Sequence, residues 1–332
     1  MMPDGALGVV LSGGSGWLGS HVLTDLVERQ VHVVSVGRTP PASTDVRHIS
    51  MSLEGEHSAA RNELAVAMQG VERWAFVHAA GLAHVQTETA EMQRQLWRVN
   101  TEGTKQVVDL CHAVGVQRIL CVSSTAVYGR GFQEAAGPLR EDGPTNPDTV
   151  YGESKLAAEK AVMGSGLDWQ IVRPATLFGA GDGANFLRLA RAIRNRRFVI
   201  PGRGEARKSC LPVALAARCI ASLVTSNAPR WPLLNLALPE PPTLREICVA
   251  MANACQVPPP RSVPRWAMAC AGMAGDVAAM IGLRSPLTSD TYRKLCSTTW
   301  VDCHRASEIF PAITQTTFQS AMRQCAGYYG SR

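Results

Sequence analysis

The run Ser12-Gly13-Gly14-Ser15-Gly16-Trp17-Leu18-Gly19 lies between an apolar stretch, Leu7–Leu11, and a helical pattern that begins at Trp17. No other feature limits the possible folds as strongly. A chain that leaves a strand through glycines and enters a helix at once makes the first turn of a βαβ unit, and such units build parallel sheets. Gly13 permits a tight turn, Gly16 lets a pyrophosphate approach the backbone, and Gly19 allows close helix–strand packing. Free N–H groups at the helix start, where Trp17 and Leu18 stand, and the helix dipole favour phosphate oxygens there. Glycines at such spacings also serve ordinary turns, but the strand before and the helix after raise the phosphate reading above that one.

The alternation continues. Apolar runs at Val31–Val36, Trp74–His78, Arg118–Ser123 and Trp169–Val172, with a shorter candidate at Val46–Ile49, read as strands. Between them Trp17–Arg29, Glu63–Gln69, Glu91–Val114 and Tyr151–Met163 carry apolar residues at helical spacing. The expected architecture is α/β: a doubly wound parallel sheet with helices on both faces, and a smaller, mostly helical C-terminal substrate lobe. Residues 1–175 form the dinucleotide-binding domain in this reading, with 231–240 returning to the sheet through a strand at Leu233–Leu238. Residues 176–332 form the lobe, with helices near 184–197, 213–225, 243–254, 265–282 and 316–328.

The chain has 332 residues, 46% hydrophobic and 18% charged, enough apolar surface for a large core and too little charge for wholesale disorder. Its net charge of +6 hints at nucleic acid until it is located. Between Phe186 and Lys208 eight basic residues face Glu205 alone, a net of +7 that leaves −1 for the rest. Charge gathered in one helix and loop suits a small anionic ligand better than a duplex, or marks a solvated helix face. Ten cysteines run from Cys111 to Cys325 with no C-x-x-C, so neither zinc nor thioredoxin-type chemistry is expected and no metal is assigned. Met1–Gly8 has no basic n-region, so a cytoplasmic location is expected. Trp266–Leu283 is apolar except for Asp276 but short for a span. With Trp266, Cys270, Met273, Val277 and Met280 at steps of three and four, it reads as a helix turning those side chains to the core, without stable membrane insertion.

The end of the second strand carries Arg38 where an acidic residue would select NAD. Arg38 can clamp a 2′-phosphate or stack on adenine, so the cofactor is NAD or NADP, with local chemistry leaning to the phosphate. Tyr151-Gly152-Glu153-Ser154-Lys155 puts a phenol and an ammonium one helical turn apart, about 6 Å along the axis. A free tyrosine has a pKa near 10, so use as a base near neutral pH requires about 4 kcal/mol of stabilisation of its phenolate. The lysine charge and the positive ring of an oxidised nicotinamide have the right sign. Ser123-Ser124-Thr125-Ala126-Val127-Tyr128-Gly129 ends another strand, where a hydroxyl can orient a substrate alcohol.

Together, Gly13/Gly16/Gly19, Val77–Gly81, Val99–Thr104, Ser123–Gly129, Tyr151–Lys155 and Arg173-Pro174 resemble the extended short-chain dehydrogenase/reductase superfamily. Within it the chain is most similar to the NAD-dependent epimerase/dehydratase group acting on nucleotide sugars. The resemblance implies a Rossmann-type fold, Tyr151 as acid/base, Lys155 on the nicotinamide ribose, and Ser124 holding the reacting hydroxyl. It also implies that Ala79, Ala80, Gly81, Asn100 and Pro174 lie along the cofactor, and that a homodimer forms through Glu91–Val114 and Tyr151–Met163. His78 and His84 read as structural.

The dehydratases of that family carry an Asp-Glu pair after the active hydroxyl. Here Thr125-Ala126 stands in that place, which disfavours elimination and leaves epimerisation or net oxidation/reduction of a hydroxyl. On the substrate side Thr125, Asn185, Arg203, Arg207 and Lys208 resemble the residues that contact a nucleotide diphosphate. Lys208-Ser209-Cys210-Leu211-Pro212-Val213 lacks the Asp and His of the usual Arg-Asp-(aromatic)-(aliphatic)-His-Val. The competing reading is an oxidoreductase like the 3β-hydroxysteroid dehydrogenases, acting on an apolar alcohol; the 266–283 helix and Ser285-Pro286-Leu287-Thr288 suit it. A non-catalytic dinucleotide-binding sensor would not need the intact Ser124/Tyr151/Lys155 set.

Overall fold

The computed structural model describes residues 7–43, 45–53, 58–83, 89–226, 231–283, 285 and 287–331. The main sheet consists of β1 Leu7–Ser12, β2 His32–Gly37, β3 Arg47–Ser50, β4 Arg73–His78, β5 Arg118–Val122, β6 Asp168–Pro174 and β7 Leu233–Leu236. All pairings are parallel, in the order β7-β6-β5-β4-β1-β2-β3. Leu233–Leu236 thus returns to the sheet edge beside β6, as the sequence reading expects. The doubly wound Rossmann-type fold stands.

Each inner strand is apolar on both sides because both faces of the sheet are covered. Val10, Val34, Val36, Phe76, Ile119 and Cys121 turn to one face. There they meet Leu64 of α2 (Ser58–Ala67), Val107, Val108 and Cys111 of α4 (Gly103–Val114), and Val162 of α5 (Val150–Met163). Their alternate neighbours Val9, Leu11, Val33, Ala75, Val77 and Leu120 turn to the other face. That face packs on α1 (Trp17–Glu28) and α7 (Val213–Thr225), the latter carrying nine buried residues. The second core is continuous with α6 (Asn185–Arg194), α8 (Leu244–Ala254) and α11 (Phe318–Gly330), so the C-terminal helices share one hydrophobic interior with the sheet.

Two elements differ from the sequence reading. Glu91–Val114 is not one helix: α3 (Ala90–Leu96) passes through a π-helical turn, Trp97–Glu102, into α4. And in α9 (Arg265–Met280) the large side chains do not face the core. Its buried residues are Met268, Gly272 and Gly275, whereas Trp266, Met273, Val277 and Met280 are 72%, 56%, 61% and 86% exposed. The reason is steric: a Cβ at Gly275 would lie 1.8 Å from Leu287 O, so the small residues make the close contact with the segment leading into α10 (Ser289–Cys296). His84 and Pro286 lie outside the described residues.

A buried polar chain ties β1 to β4 and α4. Thr104 Oγ1 donates to Asn100 O at 2.6 Å, so it accepts from His78 Nε2 at 3.0 Å. Nδ1 is then left to accept from Ser12 Oγ at 2.7 Å. Burial, aided by the charge of Lys155, pushes the His78 pKa down to about 3. His78 is therefore held neutral, in the structural role read from the sequence. A second web clamps the turn after β5. Arg173 grips buried Glu159 of α5 with two bonds, Nε to Oε1 at 2.9 Å and Nη2 to Oε2 at 2.7 Å, and its Nη1 donates to Tyr128 Oη at 2.9 Å. Tyr128 Oη in turn donates to Asn235 Oδ1 of β7 at 2.8 Å.

Two outcomes follow from these networks. Because the folded-state pKa of His78 lies below the unfolded value of 6.5, its contribution is fully present above that pH and is lost as pH falls. Urea unfolding should show stability dropping by about 2 kcal/mol between pH 6.5 and 5, a range in which ordinary carboxylates hardly titrate, and His78→Gln should flatten that slope. Glu159→Gln should lower the unfolding free energy by about 3–5 kcal/mol, because it leaves the Arg173 guanidinium buried without a counter-charge.

Candidate active site

The carboxyl ends of β1, β4, β5 and β6 open into a cleft of about 770 Å³ at the point where the strand order reverses. Two glycines shape its floor. Gly13 takes φ +81°, and a Cβ there would meet Ala80 N at 2.6 Å, so the turn after β1 nests against the loop after β4. A Cβ on Gly19 would lie 2.0 Å from Gly13 O, which is why α1 can start this close to the turn. Gly16, Trp17, Leu18 and Gly19 line the cleft, as do Ala79, Ala80, Gly81 and Pro174. Gly13 lies behind that lining. Trp17 Nε1 donates to Ala180 O at 2.7 Å, which ties the turn to the loop after β6.

Ser124, Thr125, Tyr151 and Lys155 share the same cleft. The short turn Thr125–Val127 follows β5, capped by Ser124, whose Oγ accepts Ala126 N–H at 3.1 Å and so keeps its own proton for another acceptor. Helix α5 starts at Thr149, which caps it by accepting Gly152 N–H at 3.1 Å. A Cβ at Gly152 would lie 2.6 Å from Ala126 O, so glycine lets the helix start press on the serine turn. That contact carries Tyr151 and Ser124 to one wall. Lys155 is buried, and its Nζ donates to Val122 O at 2.6 Å.

Asn100 acts from behind this wall rather than along it. In the π-helical turn its Oδ1 accepts Leu82 N–H at 2.7 Å, and its Nδ2 donates to Leu82 O and Ser154 Oγ, each at 3.0 Å. It thereby bolts the loop after Gly81 to the helix of Tyr151 and Lys155. The widened turn is what lets one amide reach both. Ser123 Oγ is buried on the cleft with no hydrogen-bond partner among the described residues. Bare backbone at Gly16 and Gly81, a helix N-terminus and an unsatisfied hydroxyl make a cradle suited to a dinucleotide.

The structure separates the expected substrate-side residues. Asn185 lines the cleft, but Arg203, Arg207 and Lys208 do not. Arg203 is exposed between Gly202 and Gly204, both in left-handed turns. Arg207 stacks on Trp300, 5.4 Å from the ring centre. Lys208 donates to the carbonyls of Lys294 and Ser297 at the C-terminal end of α10, orphan acceptors that attract a cation. Burial pushes the Lys208 ammonium down to about 8. In their place Arg188, Arg293 and Lys294 face the cleft. Arg188 Nη2 donates to Asn185 Oδ1 at 2.9 Å; Arg293 and Lys294 both bond Asp290, at 2.6 and 2.7 Å. No motif announced Arg293 and Lys294, which lie about 140 residues beyond the tyrosine. Arg38 is exposed just past β2, outside the cleft lining.

The model of the NAD dependent epimerase/dehydratase family matches residues 9–230. A 3-beta-hydroxysteroid dehydrogenase of Mycolicibacterium neoaurum is 30% identical over 185 residues, 54% of this chain and 50% of that protein. A UDP-glucose 4-epimerase of Azospirillum brasilense is 30% identical over 159 residues, 48% of this chain and 44% of that one. The chain spans about half the length of these curated relatives. Among solved structures, MoeE5 in complex with UDP-glucose and NAD matches 98% of this chain and 99% of its own, with a TM-score of 0.71 at 22% identity, a likeness of fold. With the family model matching well over half of its residues, this chain belongs to the NAD-dependent epimerase/dehydratase family.

Proposed function

We propose that the protein is a nucleotide-sugar epimerase or oxidoreductase whose proton-transfer group is Tyr151. The family is NAD-dependent, which makes NAD the cofactor. The observation that carries the reading is the lining of one cleft, in which the phenol of Tyr151, the ammonium of Lys155 and the hydroxyl of Ser124 are joined by Arg188, Arg293 and Lys294. Such a cleft suits a substrate with an alcohol at one end and a diphosphate at the other. The bound nicotinamide supplies the acceptor and donor of hydride. Tyr151 Oη takes the substrate hydroxyl proton and returns it, Ser124 Oγ orients that hydroxyl, and the Lys155 charge favours the phenolate. Gly13, Gly16, Trp17, Leu18 and Gly19 hold the pyrophosphate, with Ala79–Gly81 and Pro174 along the cofactor. Lys208 is a positioning residue in this account, fixing the end of the helix that presents Arg293 and Lys294. The ten unpaired cysteines fit a reducing, cytoplasmic setting. A homodimer would use the face of α3 and α5, where Trp97, Arg98, Val150 and Glu153 border a shallow groove.

The second reading, an oxidoreductase for apolar alcohols, is favoured by the hydroxysteroid dehydrogenase relative. The two separate on the cationic wall. Arg188→Ala and Arg293→Ala should each raise KM for a UDP-hexose about tenfold or more with little change in kcat, the usual loss for a charged hydrogen bond. Turnover of a 3β-hydroxysteroid that both variants leave unchanged, with no turnover of any UDP-hexose, would overturn the first reading in favour of the second. Mass spectrometry of molecules released from the purified protein divides the first reading further. Retained dinucleotide marks an epimerase, which regenerates its cofactor each cycle, and an empty protein marks a dehydrogenase that exchanges it.

A further inference from the structure

The exposed face of α9 has no counterpart in the catalytic reading. Trp266, Cys270, Met273, Val277 and Met280 make one stripe, and Ile281 and Leu283 extend it past the helix end, all exposed. The helical part of the stripe, from Trp266 to Met280, is about 21 Å long. Exposed alanines at 271, 274 and 279 widen it to a face. From 266 to 283 the one charged residue is Asp276, and its carboxylate turns inward to accept Ser289 N–H at 3.1 Å. Protein interfaces carry a polar rim and about one hydrogen bond per 100–200 Å², whereas along this stripe the Trp266 indole at its start and the weakly donating Cys270 thiol are the polar groups offered. A hydrocarbon layer needs none.

The charge lies at one end. Arg203, Arg245, Arg261 and Arg265 are exposed around the N-terminal end of α9, with Glu205 3.6 Å from Arg265 and Glu246 next to Arg245 in sequence. Arg245 joins the cluster physically, donating through Nε to Arg203 O at 2.8 Å and through Nη2 to Ser262 Oγ at 2.6 Å. A tryptophan beside arginines, followed by a stripe of Met, Val, Ile and Leu, matches an element that lies in the interface of an anionic bilayer. No described helix is long and apolar enough to cross a membrane. We infer that α9 docks the protein flat on an anionic phospholipid surface, with the exposed stripe from Trp266 to Leu283 among the acyl chains and the arginine cluster on the headgroups. Because α9 packs against α10, which presents Arg293 and Lys294 to the cleft, membrane contact and the substrate wall share one support.

Flotation of the full-length protein with vesicles tests this independently of any catalytic assay. The protein should float with vesicles of phosphatidylcholine and phosphatidylglycerol and much less with phosphatidylcholine alone, the anionic preference weakening at high salt. Met273→Glu with Met280→Glu should reduce flotation about tenfold without changing the thermal midpoint, since both side chains are exposed. Arg261→Ser with Arg265→Ser should remove the preference for anionic vesicles. Wild-type protein that stays with the unbound fraction, or a double-glutamate variant that floats like wild type, would overturn the inference. So would sedimentation without vesicles in which wild type forms an assembly that the double-glutamate variant splits, because the face would then be covered by a second copy.

Discussion

The buried hydrogen-bond chain from Ser12 through His78 and Thr104 to Asn100 holds the rest of the cleft in register. It begins at the last residue of β1, one step before the glycine turn, and ends in the π-helical turn whose amide grips both Leu82 and Ser154. The wall expected to cradle phosphates and the wall carrying Tyr151 and Lys155 are thus fixed to each other through neutral, fully satisfied polar groups. A charged imidazole would break this arrangement, because burial and the Lys155 ammonium both oppose it. Lys155, buried close by, is anchored by the carbonyl of Val122.

The cationic part of the cleft lining is built differently. Its cations sit on two helices, α6 and α10, and Lys208 holds the second from behind by bonding carbonyls at its end. Lys208, whose sequence context resembles a phosphate ligand, spends its ammonium donors on these helix-end carbonyls. The cleft remains cationic because Arg188, Arg293 and Lys294 face it, each held by a neighbouring Asn or Asp in a set orientation.

Much of this was legible in the sequence, and the limits have physical causes. The glycine turn, the strand–helix alternation and the Tyr151–Lys155 spacing are local patterns whose geometry follows from backbone periodicity, and the parallel sheet they imply forms. The π-helical turn at Trp97–Glu102 was not legible, because helical periodicity is the same on either side and one inserted residue leaves no compositional mark. Arg207 and Lys208 misled because adjacency in sequence says nothing about the direction of a long side chain when a partner 86 residues away supplies the carbonyls. The 266–283 helix misled for a simpler reason. Its apolar stripe and its small-residue stripe both repeat at helical spacing, and only the close approach at Gly272 and Gly275 decides which one faces inward.

The account rests on the Tyr151 phenol moving the substrate proton, and replacing that one oxygen tests it most directly. Turnover of a UDP-hexose by wild type and Tyr151→Phe should be compared at neutral pH, with dinucleotide binding to each protein measured by calorimetry. The account predicts turnover lower by about 10²–10⁴ with dinucleotide affinity unchanged. A variant that keeps turnover within about twofold of wild type would contradict it.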